Sequence, residues 1–538
     1  MTRTSEPESG STDVVVVGAG FAGLYMHHRL RDMGLSAIGI EAADDVGGTW
    51  WWNRYPGARC DIRSLDYSYS FDPELEQEWD WSEKYATQPE ILSYANHVAE
   101  RFDLRRDIRF NTRMTSARWD ASTSTWNVTT DQGDHWSCRF LVMAVGALSA
   151  AKQPEIDGID SFTGELHHTA QWPHGGVDFT GKRVAVIGTG SSGIQCIPLI
   201  AKQAAQLTVF QRTPNFAVPA QNGPLDPDTV ATLKRRYREH RADQRASHGG
   251  VVGPAPEQSA HEVAAEERAK RFDAIWEEGM LFGFLGSYND VMIDPSANAI
   301  VADYLRDRIR SIVTDPETAE LLCPKDYPAG AKRLCLDTDY FATFNRPNVS
   351  LVDLRATPIT SITPEGIELT DGLREFDAIV FATGFDAMTG PLLAPEIIGE
   401  NSVSLRDSWS AGPRTYLGIT SHGFPNMFMI TAPGSPSVMT NMLVSIEQHV
   451  EWSTDAIAWM DAHELHSIDA DLDAQDAWVD HVNEIANFTL FPKGNSWYLG
   501  ANVPGKPRVF MPYIGGVGPY REICDGVAND GYRGFTFR

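Results

Sequence analysis

The chain runs to 538 residues, 42% hydrophobic and 22% charged, an ordinary globular composition with room for about three structural units. Its formal net charge is −27, from 45 basic and 72 acidic residues, which repels polyanions and excludes nucleic acid as an expected partner. No apolar run approaches the roughly 18 residues of a membrane span, residues 1–12 lack the basic start and apolar core of a signal peptide, and the 6 cysteines form no CxxC pair, so a cytoplasmic protein with reduced thiols is expected.

Residues 13–17, Asp-Val-Val-Val-Val, read as a buried parallel strand. They run into Gly18-Ala19-Gly20-Phe21-Ala22-Gly23, a helix over 21–31 and a strand over 36–40. Trp/Arg-rich loops, a helix near 88–102 and a strand over 138–145 follow. A second unit repeats the pattern: strand 183–187, turn 188–193, helix to 202, strand 207–210. From about 216 to 325 strands become scarce and charged helical stretches take over, at 229–245, 262–278 and 298–313. Strands return at 349–354, 367–369 and 378–381. The remainder carries Gly/Pro loops, a helix near 444–462 and a glycine-rich tail. This order predicts an α/β protein with two Rossmann-like dinucleotide-binding domains and a helical insertion. The first domain is expected from residues 1–150 and 381–538, the second from 151–215 and 326–380, and the insertion spans 216–325.

Both glycine turns carry GxGxxG between an apolar strand and a helix, the context in which that pattern is specific. The glycines allow a tight turn and close approach of a pyrophosphate, and the helix N-terminus adds free N–H groups and about half a positive charge. Gly18, Gly20 and Gly23, and Gly188, Gly190 and Gly193, are therefore candidate cofactor residues. Glu41 and Gln211 stand at the same offset from the first glycine of each turn. A carboxylate there accepts hydrogen bonds from ribose hydroxyls, so the first unit suits FAD or NAD. In the second unit Gln211 is followed by Arg212 and Thr213, which removes the carboxylate and supplies a guanidinium for a 2′-phosphate, so that unit suits NADP. Gly47-Gly48-Thr49-Trp50, where the backbone must pass the adenylate end of a flavin cofactor, and Ala382-Thr383-Gly384-Phe385-Asp386, which resembles the turn common to two-dinucleotide flavoproteins, favour FAD for the first unit when taken with both glycine turns, though either alone is also an ordinary loop. The adjacent pairs His27-His28 and His167-His168 do not face one ion from a helix, so no metal is expected. No G-x-S-x-G elbow accompanies them, which removes a hydrolase.

Between the units lies Phe162-x-Gly164-x-x-x-His168-x-x-x-Trp172-Pro173, which resembles the fingerprint of type I Baeyer–Villiger monooxygenases. Gly48-Thr49-Trp50-Trp51-Trp52-Asn53-Arg54-Tyr55-Pro56-Gly57-Ala58-Arg59-Cys60-Asp61 is similar to the family's FAD-domain loop. Phe210-Gln211-Arg212-Thr213-Pro214, Ala331-Lys332-Arg333, Pro433-Gly434-Ser435-Pro436-Ser437 and Ser496-Trp497-Tyr498-Leu499-Gly500-Ala501-Asn502 extend the resemblance over nearly the whole chain. It is strongest to the subgroup acting on phenylacetone, steroids and large-ring ketones. Trp51 stands where Tyr is common, and Ala432 where Gly commonly precedes Pro-Gly-Ser-Pro.

The resemblance implies conversion of a ketone to an ester or lactone with NADPH and dioxygen, through a flavin peroxide. Sulfoxidation is a potential side activity. Anionic oxygen in a dry site calls for a fixed cation. The family's arginine falls at Arg333, which stays charged and offers several donors, with Asp61 as its partner at the Arg-Cys-Asp position. The resemblance gives Lys332 and Arg212 to the 2′-phosphate with Thr213 in support, and Trp497 to the ribose beside the nicotinamide. Ser437, Val438, Met439, Thr440 and Met442 line the substrate pocket by the same carry-over. His168 admits two roles, general acid/base and a link between the domains, and its place between the two units favours the link. A monomer is expected. Three rivals remain: an amine- or sulfide-oxidising flavin monooxygenase, which usually lacks the terminal Trp-Pro; a disulfide reductase, which needs a partner for Cys60; and a non-catalytic sensor.

Overall fold

The computed structural model describes residues 7–253 and 256–538, so the first six positions of the polar N-terminus lie outside the described residues. Two parallel-cored sheets carry the glycine units. The first has eight strands, in the order Glu396–Ile398, Met114–Asp120, Thr125–Thr130, His135–Met143, Ser9–Val17, Ala37–Ile40 and Ile108–Arg109, with Met427–Met429 also paired to His135–Met143. The second has five, all parallel: Val349–Asp353, Gln206–Gln211, Arg183–Ile187, Ala378–Phe381 and Glu165–His168.

The continuous valine run is explained by burial on both faces. Val14 and Val16 join one apolar cluster and Val15 and Val17 another, so neither pleat face can be polar. The second unit repeats this, with Val184 and Val186 on one side and Ala185 and Ile187 on the other. Each fully buried valine stabilises the sheet by about 1.5–3 kcal/mol relative to exposure.

Helices Pro227–Arg235, Tyr237–Ala246, Ala265–Glu278, Pro295–Ile312 and Pro316–Leu322 occupy the expected helical stretch. Three of them begin with an aspartate cap followed by proline: Asp226, Asp294 and Asp315 each accept a backbone N–H of the first turn. The single helix expected over 229–245 is broken at Arg236, whose ψ of 14° interrupts it. Ala217–Pro219 pairs in parallel with Cys335–Asp337, closing the two ends of this region against each other. That pairing fixes the chain just after Lys332 and Arg333.

The tail departs most from expectation. Helices Leu472–Asn487 and Val517–Asn529 occupy the stretch read as loops. The second contains Gly518, Pro519 and Gly526, poor helix formers, and is held by tertiary burial of Val517, Tyr520, Cys524 and Val527. No helix among the described residues is long and apolar enough to cross a membrane.

Candidate active site

A cavity of about 1220 Å³ opens where the two glycine turns face each other, and both units contribute to its walls. In the first turn Gly18 has φ +106°, and a Cβ there would lie 2.4 Å from the Ala144 carbonyl oxygen. Gly48, at φ +52°, passes so close to Gly20 that a Cβ would lie 2.8 Å from its Cα. Only glycine fits either position. Gly23 faces away from the cavity, where a Cβ would strike the Gly18 carbonyl at 1.9 Å; it lets helix and strand pack closely. Glu41 ends the second strand, buried, with its carboxylate accepting the Ala19 N–H at 2.6 Å and the Ala43 N–H at 2.7 Å. Burial pushes its pKa up, against the pull of those donors. A side-chain-free cradle ending in a fixed carboxylate fits an adenine dinucleotide with a free ribose. Thr49 and Trp50 line the same wall, and Trp50 Nε1 donates to the Tyr67 hydroxyl at 3.3 Å.

The second turn repeats the backbone: Gly188 has φ +110°, and Gly193 packs on the Gly188 carbonyl. A Cβ on Gly190, however, would meet nothing within 4 Å. Gln211 turns away from the cavity and donates to the Leu321 carbonyl at 2.8 Å, leaving exposed Arg212 at the strand end. Arg212 and Lys332 form no ion pair among the described residues. Lys332 stands 4.9 Å above the Tyr327 ring. Burial, then the charges of Arg212 and Arg355, push its pKa down. Lys152 is lowered by burial and then by Arg212. Arg355 is paired with Asp326, but Arg212, Lys332 and Lys152 form no ion pair among the described residues, and such mutually repelling cations fit a phosphorylated coenzyme. Thr213 and Trp497 line the cavity beside them.

Arg333 lies between the two cradles. Its Nε donates to Asp61 Oδ2 at 2.7 Å, Nη2 to Asp61 Oδ1 at 2.8 Å, and Nη1 to the Val438 carbonyl at 2.7 Å. Burial opposes its charge, but Asp61 and then Tyr498 outweigh that and hold its pKa well above the usual arginine value. Of the five residues expected to line the substrate pocket, Val438, Thr440 and Met442 reach the cavity. Ser437 does not: at φ +42° its hydroxyl turns back to the Thr431 carbonyl at 3.1 Å. Met439 does not either; it packs against the apolar cluster containing Tyr498 and Phe510.

None of the fingerprint side chains reaches the cavity. Phe162 packs in one apolar cluster and Trp172 in another, Gly164 fits beneath the Asp377 carbonyl, and Pro173 is exposed. His168 Nδ1 accepts the Ala170 N–H at 3.1 Å, so Nε2 carries the proton and donates to the Lys152 carbonyl at 3.1 Å. Burial pushes its pKa down. His168 thereby fixes the segment that delivers Lys152 to the cavity.

Tyr55 and Tyr498 lie inside motifs that assign them no role, and Gln195 and Lys152 lie outside every motif. Tyr55 donates to Gln195 at 2.7 Å, and Gln195 donates to the Arg59 carbonyl at 3.1 Å, tying the loop that bears Asp61 to the helix behind the second glycine turn. Tyr498, fully buried beside Arg333, and Lys152 belong with them.

Residues 11–223 match the flavin-binding monooxygenase-like family. The chain is 43% identical to a Baeyer-Villiger monooxygenase of Pseudooceanicola batsensis, covering 99% of this chain and 97% of that protein. It is 42% identical to phenazine N-monooxygenase PhzNO1 of Lysobacter antibioticus, over 97% and 96%. A solved oxidised steroid monooxygenase bound to NADP superposes with a TM-score of 0.94 at 54% identity, over 98% and 99%. Two dinucleotide cradles around one arginine define a flavin-dependent oxygenase that takes a phosphorylated nicotinamide coenzyme. Within that class, the chain belongs to the Baeyer–Villiger monooxygenase family.

Proposed function

We propose that Arg333, held by Asp61, is the cation that stabilises developing negative charge on oxygen while this enzyme converts a ketone to an ester or lactone. FAD supplies the redox chemistry when bound, taking hydride from NADPH and activating dioxygen. The observation that carries the reading is the division of the Arg333 donors. A guanidinium has five N–H groups. Asp61 takes two of them side-on and the Val438 carbonyl takes one. One N–H remains on each terminal nitrogen; Tyr498 is a further hydrogen-bond partner of the guanidinium, and Arg333 itself lines the cavity. A cation fixed in advance needs no reorganisation as charge develops, which is why such groups contribute most in a water-poor site.

Glu41 receives the ribose of FAD, and Gly18, Gly20 and Gly48 give its pyrophosphate room. Arg212, Lys332 and Thr213 hold the 2′-phosphate of NADPH, and the Trp497 indole N–H the ribose nearer the nicotinamide. The similarity to a steroid monooxygenase favours bulky ketones. His168 acts as a link rather than an acid, since both ring nitrogens are already engaged. The enzyme works as a monomer in the cytoplasm, a setting in keeping with six free, buried cysteines.

The test is product analysis with NADPH, air and a panel running from phenylacetone through cyclododecanone to a 20-keto steroid, with phenazine added. An ester or lactone heavier by one oxygen supports the assignment; a panel yielding only N-oxide overturns it. Arg333→Ala should bind FAD and be reduced by NADPH, yet form ester roughly 100- to 1000-fold more slowly, the scale of removing one oxyanion donor. Ester formation at the wild-type rate would sink the role of Arg333.

A further inference from the structure

The turn that offers Val438 to Arg333 is built in an unfavourable backbone conformation. Thr431 has φ +56° and Ser437 φ +42°. A β-branched residue in the left-handed region is rare and persists only where its surroundings hold it. Two hydrogen bonds hold this one. The Thr431 N–H donates to His449 Nδ1 at 3.1 Å, and the Thr431 carbonyl accepts the Ser437 hydroxyl at 3.1 Å. Ser437 immediately precedes Val438, whose carbonyl takes the Arg333 Nη1 donor at 2.7 Å.

His449 belongs to the helix Met442–Ala462, is fully buried and does not line the cavity. Its other nitrogen, Nε2, lies 2.8 Å from the Tyr520 hydroxyl, whose proton goes to the Leu417 carbonyl. Nε2 therefore donates to Tyr520, and Nδ1 is left as an acceptor for Thr431. Burial pushes the imidazole pKa down to about 4, so the ring stays neutral across the working range.

We propose that His449 is a positioning residue for Arg333: through Thr431 and Ser437 it clasps the strained turn and fixes the Val438 carbonyl that aims the guanidinium. The proposal rests on the role assigned to Arg333 above. A side chain remote from every reacting atom would thus set how much of the NADPH consumed ends in ester and how much in hydrogen peroxide. If the clasp opens, Thr431 relaxes toward ordinary φ, Val438 moves and Arg333 keeps Asp61 but loses its third anchor.

The test uses holoenzyme carrying His449→Leu, His449→Asn or His449→Gln. An asparagine carbonyl falls near the Nδ1 position and keeps the acceptor for Thr431, whereas a glutamine amide reaches toward Tyr520. The Leu variant is expected to keep FAD, the rate of flavin reduction and the KM for NADPH. Its ester formation should fall by roughly 10- to 100-fold, the scale of an ångström of misplacement, with peroxide released instead. The Asn variant should recover much of the ester yield and the Gln variant little. A crystal structure of the Leu variant should show Arg333 Nη1 parted from the Val438 carbonyl. Ser437→Ala cuts the clasp from its other end without touching the helix, and should uncouple in the same direction. A wild-type ester yield in the Leu or Ser437→Ala variant, or equal losses in Asn and Leu, overturns the proposal. Arg333→Ala separates the two ideas. If it retains oxygenation, the Arg333 reading fails; if it uncouples while His449→Leu does not, only the clasp fails.

Discussion

The two glycine units share a backbone and differ in what surrounds it. At Gly18 and Gly188 a Cβ would stand 2.4 Å from a carbonyl of the neighbouring strand, Ala144 in one unit and Ala382 in the other. Beyond that the units diverge. Gly20 is roofed by Gly48, whereas Gly190 faces open space. Glu41 is buried and already bonded to two backbone amides, whereas its counterpart Gln211 turns aside and leaves the exposed Arg212. A roofed cradle with a preset carboxylate suits a cofactor that stays. An open cradle rimmed by repelling cations suits a coenzyme that comes and goes, because the cations gain most when phosphate arrives. One local fold thus serves retention or exchange according to what lies above the turn.

That contrast breaks most visibly at the glycines themselves. Gly18→Ala forces a side chain into φ +106° and against a carbonyl. Strain and overlap together should cost roughly 2–4 kcal/mol, seen as a lower Tm and loss of bound FAD. Gly190→Ala, at φ −79° with nothing within 4 Å, should leave both Tm and FAD content unchanged and only weaken NADPH binding. Loss of FAD from the Gly190 variant would show that the two cradles are not independent. A smaller effect is expected at Arg212. Arg212→Ala removes a charge-assisted contact of roughly 1.5–3 kcal/mol, so the preference for NADPH over NADH in kcat/KM should narrow by about tenfold or more. An unchanged ratio would place the 2′-phosphate elsewhere.

Much of this contrast was legible before the structure, and the exceptions share a cause. The valine strand, both glycine turns and the Glu41/Gln211 offset depend on residues near in sequence, so pattern alone reveals them. The pairing of Asp61 with Arg333 joins positions far apart and was reachable only through family resemblance. Gln195, Lys152 and His449 act through contacts that no local pattern announces. Ser437 and Met439 were misplaced because a motif names a segment without giving its backbone; the positive φ at Ser437 decides which side chains face inward. Helix Val517–Asn529 was hidden because burial of Tyr520 and Cys524 overrides its glycines and proline.

The finest separation of the two cradles is by pH. Glu41 faces no titrating cation in the coenzyme site, whereas Lys332 is depressed by burial and by the charges of Arg212 and Arg355. Its lowered pKa means that the empty site begins to lose this charge at a lower pH than an ordinary lysine. A bound 2′-phosphate stabilises the ammonium and raises that pKa again, so NADPH binding takes up a proton above neutrality. The sign follows: NADPH affinity should be full at neutral pH and decline as pH rises through the depressed lysine pKa, while NADH, lacking the phosphate, shows a flatter profile. Lys332→Arg keeps a charge that does not titrate and should flatten the NADPH profile to match. Coenzyme titrations of the oxidised holoenzyme at a series of alkaline pH values provide the measurement. Parallel profiles for NADPH and NADH in the wild type would remove Lys332 from the phosphate site and leave it to Arg212 and Thr213.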